Sequence, residues 1–116
     1  MKEIMAIIRP SRYFATKHRL IGHVFSAMST KEVLGRGRKK VVFHTEGEEE
    51  REVGGIEFVA KRLIEMVVRD EDVETVIGLL LEDNSTGHPG DGKIFVLPVE
   101  NALRVRTGEQ GDDVLV

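Results

Sequence analysis

Apolar and polar residues follow two different periods along this chain. Ile4-Met5-Ala6-Ile7-Ile8 is a short, almost wholly apolar run rich in β-branching, the pattern of a strand covered on both faces. Pro10 ends it, since proline offers no N–H to a ladder. From about Ser11 to Val24 the period becomes helical, with Phe14, Ile21 and Phe25 on one line and Lys17, Leu20, Ile21 and Val24 on its neighbour; those lines are the expected buried stripe. Ser11 is the expected N-cap. Met28 to Leu34 reads as a strand that runs out into Gly35-Arg36-Gly37-Arg38.

The segment from Arg38 to about Gly55 contains three glycines, a reversal of charge and no sustained period. It is expected to be a long exposed loop, with room for a transient hairpin, and loops of this length in small domains usually contact partners. Phe58 to Val68 reads as a strand, and a helix follows from Asp70, capped by Asp70, with Val73, Val76, Ile77 and Leu80 inward. A glycine-rich turn over Thr86 to Lys93 leads to a fourth strand, Ile94-Phe95-Val96-Leu97. A short extra strand is expected from Leu103 to Thr107, with Arg104 and Arg106 on one face.

Strand, helix, strand, long loop, strand, helix, strand is two βαβ halves, the order of an α+β, ferredoxin-like split βαβ sandwich with both helices on one face of an antiparallel sheet. The other face is too apolar for water, so it should pack against further copies of the chain. With 116 residues, a single domain over 1–116 is expected, because two cores would each be too small. Folding hides about two-thirds of the surface at this size, which leaves no room for a deep internal cavity and places a ligand at the surface or between subunits.

Charge and composition narrow the function. A net charge of -3 and 5% aromatic residues disfavour a nucleic-acid binder, which needs a basic excess and stacking platforms. The average hides a basic cluster, Arg36, Arg38, Lys39 and Lys40, beside an acidic one, Glu46, Glu48, Glu49, Glu50 and Glu52. Cysteine is absent, which removes disulfides, thiolate metal sites and cysteine nucleophiles together. No apolar run has signal-peptide or membrane-spanning length; a cytoplasmic protein without membrane insertion is expected.

Gly87-His88-Pro89-Gly90-Asp91-Gly92-Lys93 fits G-x-x-x-x-G-K, the first seven positions of a P-loop. Ile94 stands where a P-loop carries a hydroxyl for magnesium, and the flanking order is helix-turn-strand instead of strand-turn-helix, so a Walker-type NTPase is not expected. The ingredients of an anion site remain: glycines that let N–H groups converge, and the charge of Lys93. A plain glycine turn with a surface lysine is an equal reading of this segment alone. Gly35-Arg36-Gly37-Arg38 and Arg104-Val105-Arg106-Thr107-Gly108 have the same character, and three such stretches in one small acidic chain favour a polyphosphate ligand. His18 and His23, five apart, sit about 140° around a helix and cannot share a metal. No serine lies in a nucleophile elbow and nothing buries a carboxylate for acid–base work. The chain reads as a binder, with no catalytic residues and no metal site.

Two signatures carry a family resemblance. Thr86-Gly87-x-x-Gly90-Asp91-Gly92-Lys93-Ile94-Phe95-Val96 resembles the phosphate-loop signature of the PII signal-transduction family of nitrogen regulators, and Arg104-x-Arg106-Thr107-Gly108-Glu109 resembles its C-terminal one. Ala6-Ile7-Ile8-Arg9-Pro10 and Glu32-Val33-x-Gly35-x-Gly37-Arg38 match in position. The resemblance implies a homotrimer, or a hetero-oligomer with a related subunit, holding ATP or ADP in clefts between neighbours. It assigns Gly37 and Arg38 to the phosphates at the base of the long loop, Gly87, Gly90, Asp91, Gly92 and Lys93 to the turn that wraps them, and Arg104 and Arg106 to the adjoining subunit's contribution. Ile7, Ser29 and Val67 would line the nucleoside side. The loop at about 38–56 resembles the family's T-loop, which docks on a target: nitrogenase, an ammonium transporter or a metabolic enzyme. Met1-Lys2-Glu3-Ile4, Ala15-Thr16-Lys17 and Leu34-Gly35-Arg36-Gly37 are most similar to the nitrogenase-associated branch.

The departures from the family pattern bear on a second ligand. Lys39 stands where the family has a glutamine that ligates the magnesium holding 2-oxoglutarate, and an ammonium cannot ligate a metal. Val41 replaces a glycine at the same site, while Lys61, the family's lysine for the 2-oxoglutarate carboxylate, is kept. Magnesium-held 2-oxoglutarate in the usual geometry is therefore in doubt. Tyr13, the chain's one tyrosine, lies outside the loop, so a tyrosine-modified loop is not expected. The leading expectation is a non-enzymatic nitrogen and energy sensor. The alternative is a trimeric metal-binding or structural module in which the glycine turn is only a turn.

Overall fold

The computed structural model describes residues 1–37, 41–43, 51–53 and 58–115. Four strands, β1 (Lys2–Ile8), β2 (Ser29–Gly35), β5 (Val59–Val68) and β6 (Gly92–Pro98), form one antiparallel sheet in the order β2-β5-β1-β6. Two helices, α1 (Tyr13–Gly22) and α2 (Val73–Asn84), lie one in each half, α1 between β1 and β2 and α2 between β5 and β6. This is the ferredoxin-like split βαβ plan. Inside the segment expected to be a long loop, β3 (Val41–Phe43) and β4 (Arg51–Val53) pair antiparallel, Val41 opposite Val53 and Phe43 opposite Arg51; Arg38 and Lys39 lie outside the described residues.

Both helices cover the same face of the sheet. Ile4, Ala6 and Ile8 of β1 and Ile64, Met66 and Val68 of β5 point into one buried cluster with Tyr13 and Leu20 of α1 and Val76, Leu79 and Leu80 of α2. The register, Ile4 opposite Met66 and Ala6 opposite Ile64, puts these side chains on one face because successive residues alternate. The opposite face carries Met5, Ile7, Leu63, Val67, Phe95 and Leu97. Phe95 and Leu97 are exposed there. The expectation that β1 is covered on both faces is thus met on one side by this chain and left open on the other.

The helix boundaries and stripes differ from the sequence reading. Pro10–Arg12 and Asp70–Asp72 are short 3-10 turns, and neither α1 nor α2 has a side-chain cap. Ser11 lies within the first turn and so cannot cap, and the Asp70 carboxylate pairs instead with the α-amino group of Met1 at 3.0 Å. In α1 the buried residues are Tyr13, Thr16 and Leu20, whereas Phe14 is 65% and Val24 87% exposed. The expected stripe was rotated, because the inward line includes a polar residue. Thr16 is tolerated there by hydrogen bonds: its hydroxyl donates to the Arg12 carbonyl at 2.8 Å and accepts from Asn84 Nδ2 at 2.9 Å. In α2 the sequence reading likewise omitted Leu79 and Asn84 from the buried set. Arg19 clamps the helices at the surface, reaching both carboxylate oxygens of Asp83 at 2.7 and 3.0 Å.

The extra strand expected from Leu103 to Thr107 is absent. Leu103 forms a single bridge to Gln110, and the chain between folds back on itself, with Gly108 N–H donating to the Arg104 carbonyl at 2.7 Å. Gly108 takes a φ of 75°, a left-handed conformation that ends extended structure.

The exit of α1 holds one strained position. Phe25 N–H bonds Leu20 O at 2.9 Å and Val24 N–H bonds Ile21 O at 3.1 Å, the paired bonds of a Schellman cap. That cap needs a left-handed residue, and the residue there is Val24, φ 66°, a β-branched side chain poorly suited to it. Val24→Gly should therefore stabilise the fold by about 1 kcal/mol, read as a rise of about 4 °C in thermal midpoint; an unchanged or lower midpoint would contradict the assignment of strain.

Candidate functional site

The glycine turn between α2 and β6 is built around one carboxylate. Asp91 accepts hydrogen bonds from the N–H groups of Thr86 at 2.7 Å and Gly87 at 3.0 Å, from the Thr86 hydroxyl, and from Arg9 Nη1. Burial raises the Asp91 pKa, but the bonds from Thr86, Arg9 and Gly87 outweigh it and hold the carboxyl well below the usual range. Two cations brace the outside of the turn. Arg9 Nη2 donates to Pro89 O at 3.0 Å and Lys61 Nζ to Gly90 O at 2.7 Å. Burial and the neighbouring Arg9 lower the Lys61 pKa, against a smaller opposing effect of Asp91.

The glycines are dictated by this geometry at two positions. Gly92 has φ 112°, and a Cβ there would lie 1.9 Å from Ile7 O; β6 can join β1 at this point only without a side chain. Gly90 has φ 96°, with Arg9 Nη2 3.2 Å from where a Cβ would sit. Together with Gly87 (φ 80°) these positive-φ residues reverse the backbone between α2 and β6, a conformation that glycine adopts without strain.

The register shows what the fold brings together. Lys93 pairs with Ile7, Ile7 with Leu63, and Val33 with Lys61, so Ile7, Lys61 and Lys93 share the uncovered face at the end of the sheet where the turn lies. Gly35 closes the same end, with Lys61 Cγ 3.4 Å from its ideal Cβ, and Gly37 follows two residues on. Ser29 and Val67 lie on that uncovered face towards its other end, opposite Glu65 and Glu3. Val67 is roughly 20 Å from Lys61 at the ordinary strand rise. A ligand using both ends must be long.

Arg104 and Arg106 are not brought to the turn by their own chain. β6 leads away from it to Val99, whose N–H bonds Met1 O at 3.3 Å. Arg104 pairs with Glu109 at 3.1 Å, and among the described residues neither arginine hydrogen-bonds to the glycine turn. Arg9 and Thr86 are the site residues whose roles the sequence reading did not assign. Both stood inside quoted motifs, but an arginine after a strand and a threonine before a glycine carry no signal of their own; only the fold shows that they meet at Asp91.

The linkage has a definite sign. A carboxyl with a depressed pKa adds stability that is complete above its unfolded value, about 3.9, and that is lost as pH falls through the lower folded value. Asp91→Asn should cost about 1–2 kcal/mol at neutral pH, and the gap from the parent should narrow below about pH 4. Denaturant midpoints across pH measure it; a gap constant down to pH 2 would contradict the hub role. Gly92→Ala should cost about 2–3 kcal/mol or prevent folding, because the backbone of β1 must move, whereas Gly87→Ala meets no atom within 4 Å and should cost less. Equal losses would contradict the close approach.

Comparison with known proteins identifies the family of the chain. The sequence profile described as Nitrogen regulatory protein P-II matches residues 1–109. "Nitrogen fixation nifHD region GlnB-like protein 2" of Methanobacterium ivanovii is 45% identical, with 100% of each chain covered. The protein of the same name in Methanococcus maripaludis is 41% identical over 97% of this chain and 98% of the relative. Among solved structures, Arabidopsis thaliana PII bound to citrate superposes with a TM-score of 0.75 at 35% identity, covering 97% of this chain and 86% of the other. The fold, the glycine turn and these relatives converge, and the chain belongs to the nitrogen regulatory protein P-II family, with its similarity to the nifHD-region, nitrogenase-associated branch.

Proposed function

We propose that this P-II family protein senses ATP and ADP at clefts between subunits and uses the bound nucleotide to control a partner protein. The observation that supports the reading is the turn itself, in which Gly87, Gly90 and Gly92 all have positive φ and Asp91 fixes the conformation through its bonds to Thr86 and Gly87. A preorganised turn binds without the entropic cost of ordering. Gly87, Gly90 and Gly92 fit a phosphate chain, with Lys93 supplying charge at the rim; Asp91 is an organiser of the turn, since its oxygens are occupied by donors. Ile7 offers an apolar surface next to Lys93 for the sugar or base, and Val67 and Ser29 extend that face. Gly37 and Arg38 would complete the site from the base of the loop.

Arg104 and Arg106 enter this reading from a neighbouring copy. The apolar uncovered sheet face supports association, since Met5, Ile7, Phe95 and Leu97 have no second layer among the described residues. A trimer, either of this chain or with a related subunit, is the proposed assembly, and light scattering should return about three times 13.0 kDa. Magnesium-held 2-oxoglutarate is not part of the reading, because Lys39 cannot ligate the metal. The names of the relatives favour nitrogenase as the target over an ammonium transporter or metabolic enzyme, with the loop at about 38–56 as the contact. The two nucleotides can switch that contact only if each prefers a different conformation.

Calorimetric titration tests the binding. ATP and ADP should each bind at micromolar concentration, and Lys93→Ala or Arg104→Ala should each weaken binding about tenfold, the loss of one charge-assisted contact. No heat at millimolar nucleotide would overturn the reading. Pull-down of partners with ATP or with ADP should recover nitrogenase in one state only; equal recovery in both would contradict nucleotide control.

A further inference from the structure

The apolar line that periodicity assigns to the interior of α1 faces outward in the fold. Phe14, Ile21 and Val24 are exposed, while Tyr13, Thr16 and Leu20 fill the inward side. With Lys17 they follow one another at spacings of three and four residues, so they form a continuous strip along the helix and its exit. Arg19 occupies the opposite flank, where it engages Glu82 and Asp83 of α2. The strip therefore runs on the flank of α1 that α2 leaves uncovered. Val24 sets it apart from scattered surface apolar residues, which are ordinary. It holds a left-handed φ of 66° that glycine would adopt without strain, and its exposed side chain gives nothing back to the fold. Strain of this kind persists where the side chain has a use.

The charge around the strip has one sign. Between Glu3 and Glu32 the chain has no acidic residue. Arg9 is paired with Asp91, and Arg19 with Glu82 and Asp83. Arg12 and Lys17 make no ion pair among the described residues; the Lys17 ammonium lies over the Phe14 ring, 5.3 Å from its centre. We propose that this strip docks an acidic, amphipathic helix of a partner protein, whose apolar side chains pack on Phe14, Ile21 and Val24 while its carboxylates meet Arg12 and Lys17. A helix is the fitting occupant because a ridge at this spacing packs into the groove of another helix. An apolar centre with a charged rim is the make-up of a protein contact, and two unpaired cations are too few for an anionic membrane, which is bound by denser basic clusters. The contact is separate from the glycine turn and from the loop at about 38–56, and it stands whether or not a nucleotide binds.

Amide NMR titration of the full chain with three synthetic helical peptides tests the assignment. The first carries Leu along one face and Glu on the other; the second has Lys for each Glu, and the third has Ser for each Leu. The Leu/Glu peptide should shift the signals of residues 14–24 and bind about tenfold more tightly than either of the others. Ile21→Asp, at an exposed position, should keep the parent's circular dichroism and weaken that peptide about tenfold. Val24→Gly should bind it more weakly although its thermal midpoint rises, a combination that a merely structural role for Val24 does not produce. Equal binding of the three peptides, shifts confined to residues outside α1, or unaltered affinity in Ile21→Asp would overturn the proposal. Sedimentation with phosphatidylglycerol vesicles, while the Leu/Glu peptide leaves the signals in place, would assign the strip to a lipid surface and overturn it. A lower mass for Ile21→Asp than for the parent in light scattering would assign it to a second copy of the chain, and would overturn it equally.

Discussion

The Asp91 carboxylate is the point on which the site depends. Backbone N–H groups at the start of a turn are orphan donors that must be satisfied. Asp91 satisfies those of Thr86 and Gly87 from within the turn, and its charge draws Arg9 across from the end of β1. Arg9 and Lys61 then hold the carbonyls of Pro89 and Gly90 from outside. One ionised side chain therefore fixes a loop that would otherwise be free to fluctuate, and ties it to the two central strands. The arrangement is compatible with the proposed anion site, because the structural carboxylate is already satisfied by its own donors.

The sheet explains why such a site belongs to an assembly more than to a single chain. Both helices lie on one face, so the apolar residues on the other face of β1, β5 and β6 have no second layer among the described residues. At this size the fold cannot also enclose a ligand. The turn sits at the sheet's end, the apolar residues proposed for the nucleoside spread along the uncovered face, and the arginines lie beyond the far end of β6. A further subunit beside the first would cover the exposed face and bring missing charges to the turn with the same contact. Binding and assembly are then linked, since a ligand that spans two copies stabilises their association.

Much of this was legible in the sequence, for physical reasons that also explain the failures. The strands were visible because apolar runs bounded by proline or glycine have few other solutions. The glycine turn was visible because its spacing is constrained by backbone conformation: Gly92 cannot carry a Cβ against Ile7 O. The inward stripe of α1 was misplaced because burial there includes Thr16, whose hydroxyl is satisfied by Arg12 and by Asn84 from α2, while the larger Phe14 stays outside. A periodicity argument cannot foresee a polar pair completed by a residue 68 positions away. The C-terminal strand was misread for a related reason: alternating Leu103, Arg104, Val105 and Arg106 resembles a strand, but Gly108 and the Arg104–Glu109 contacts close a turn. Arg9 was invisible because its partner lies 82 positions on.

The central claim is that the backbone of the glycine turn receives a phosphate chain. Amide NMR with ADP and, separately, adenosine tests it most directly. The account predicts that ADP shifts the amide signals of Gly87, Gly90 and Gly92 strongly, while adenosine at the same concentration leaves them in place. Binding of ADP with those three signals unmoved would contradict it.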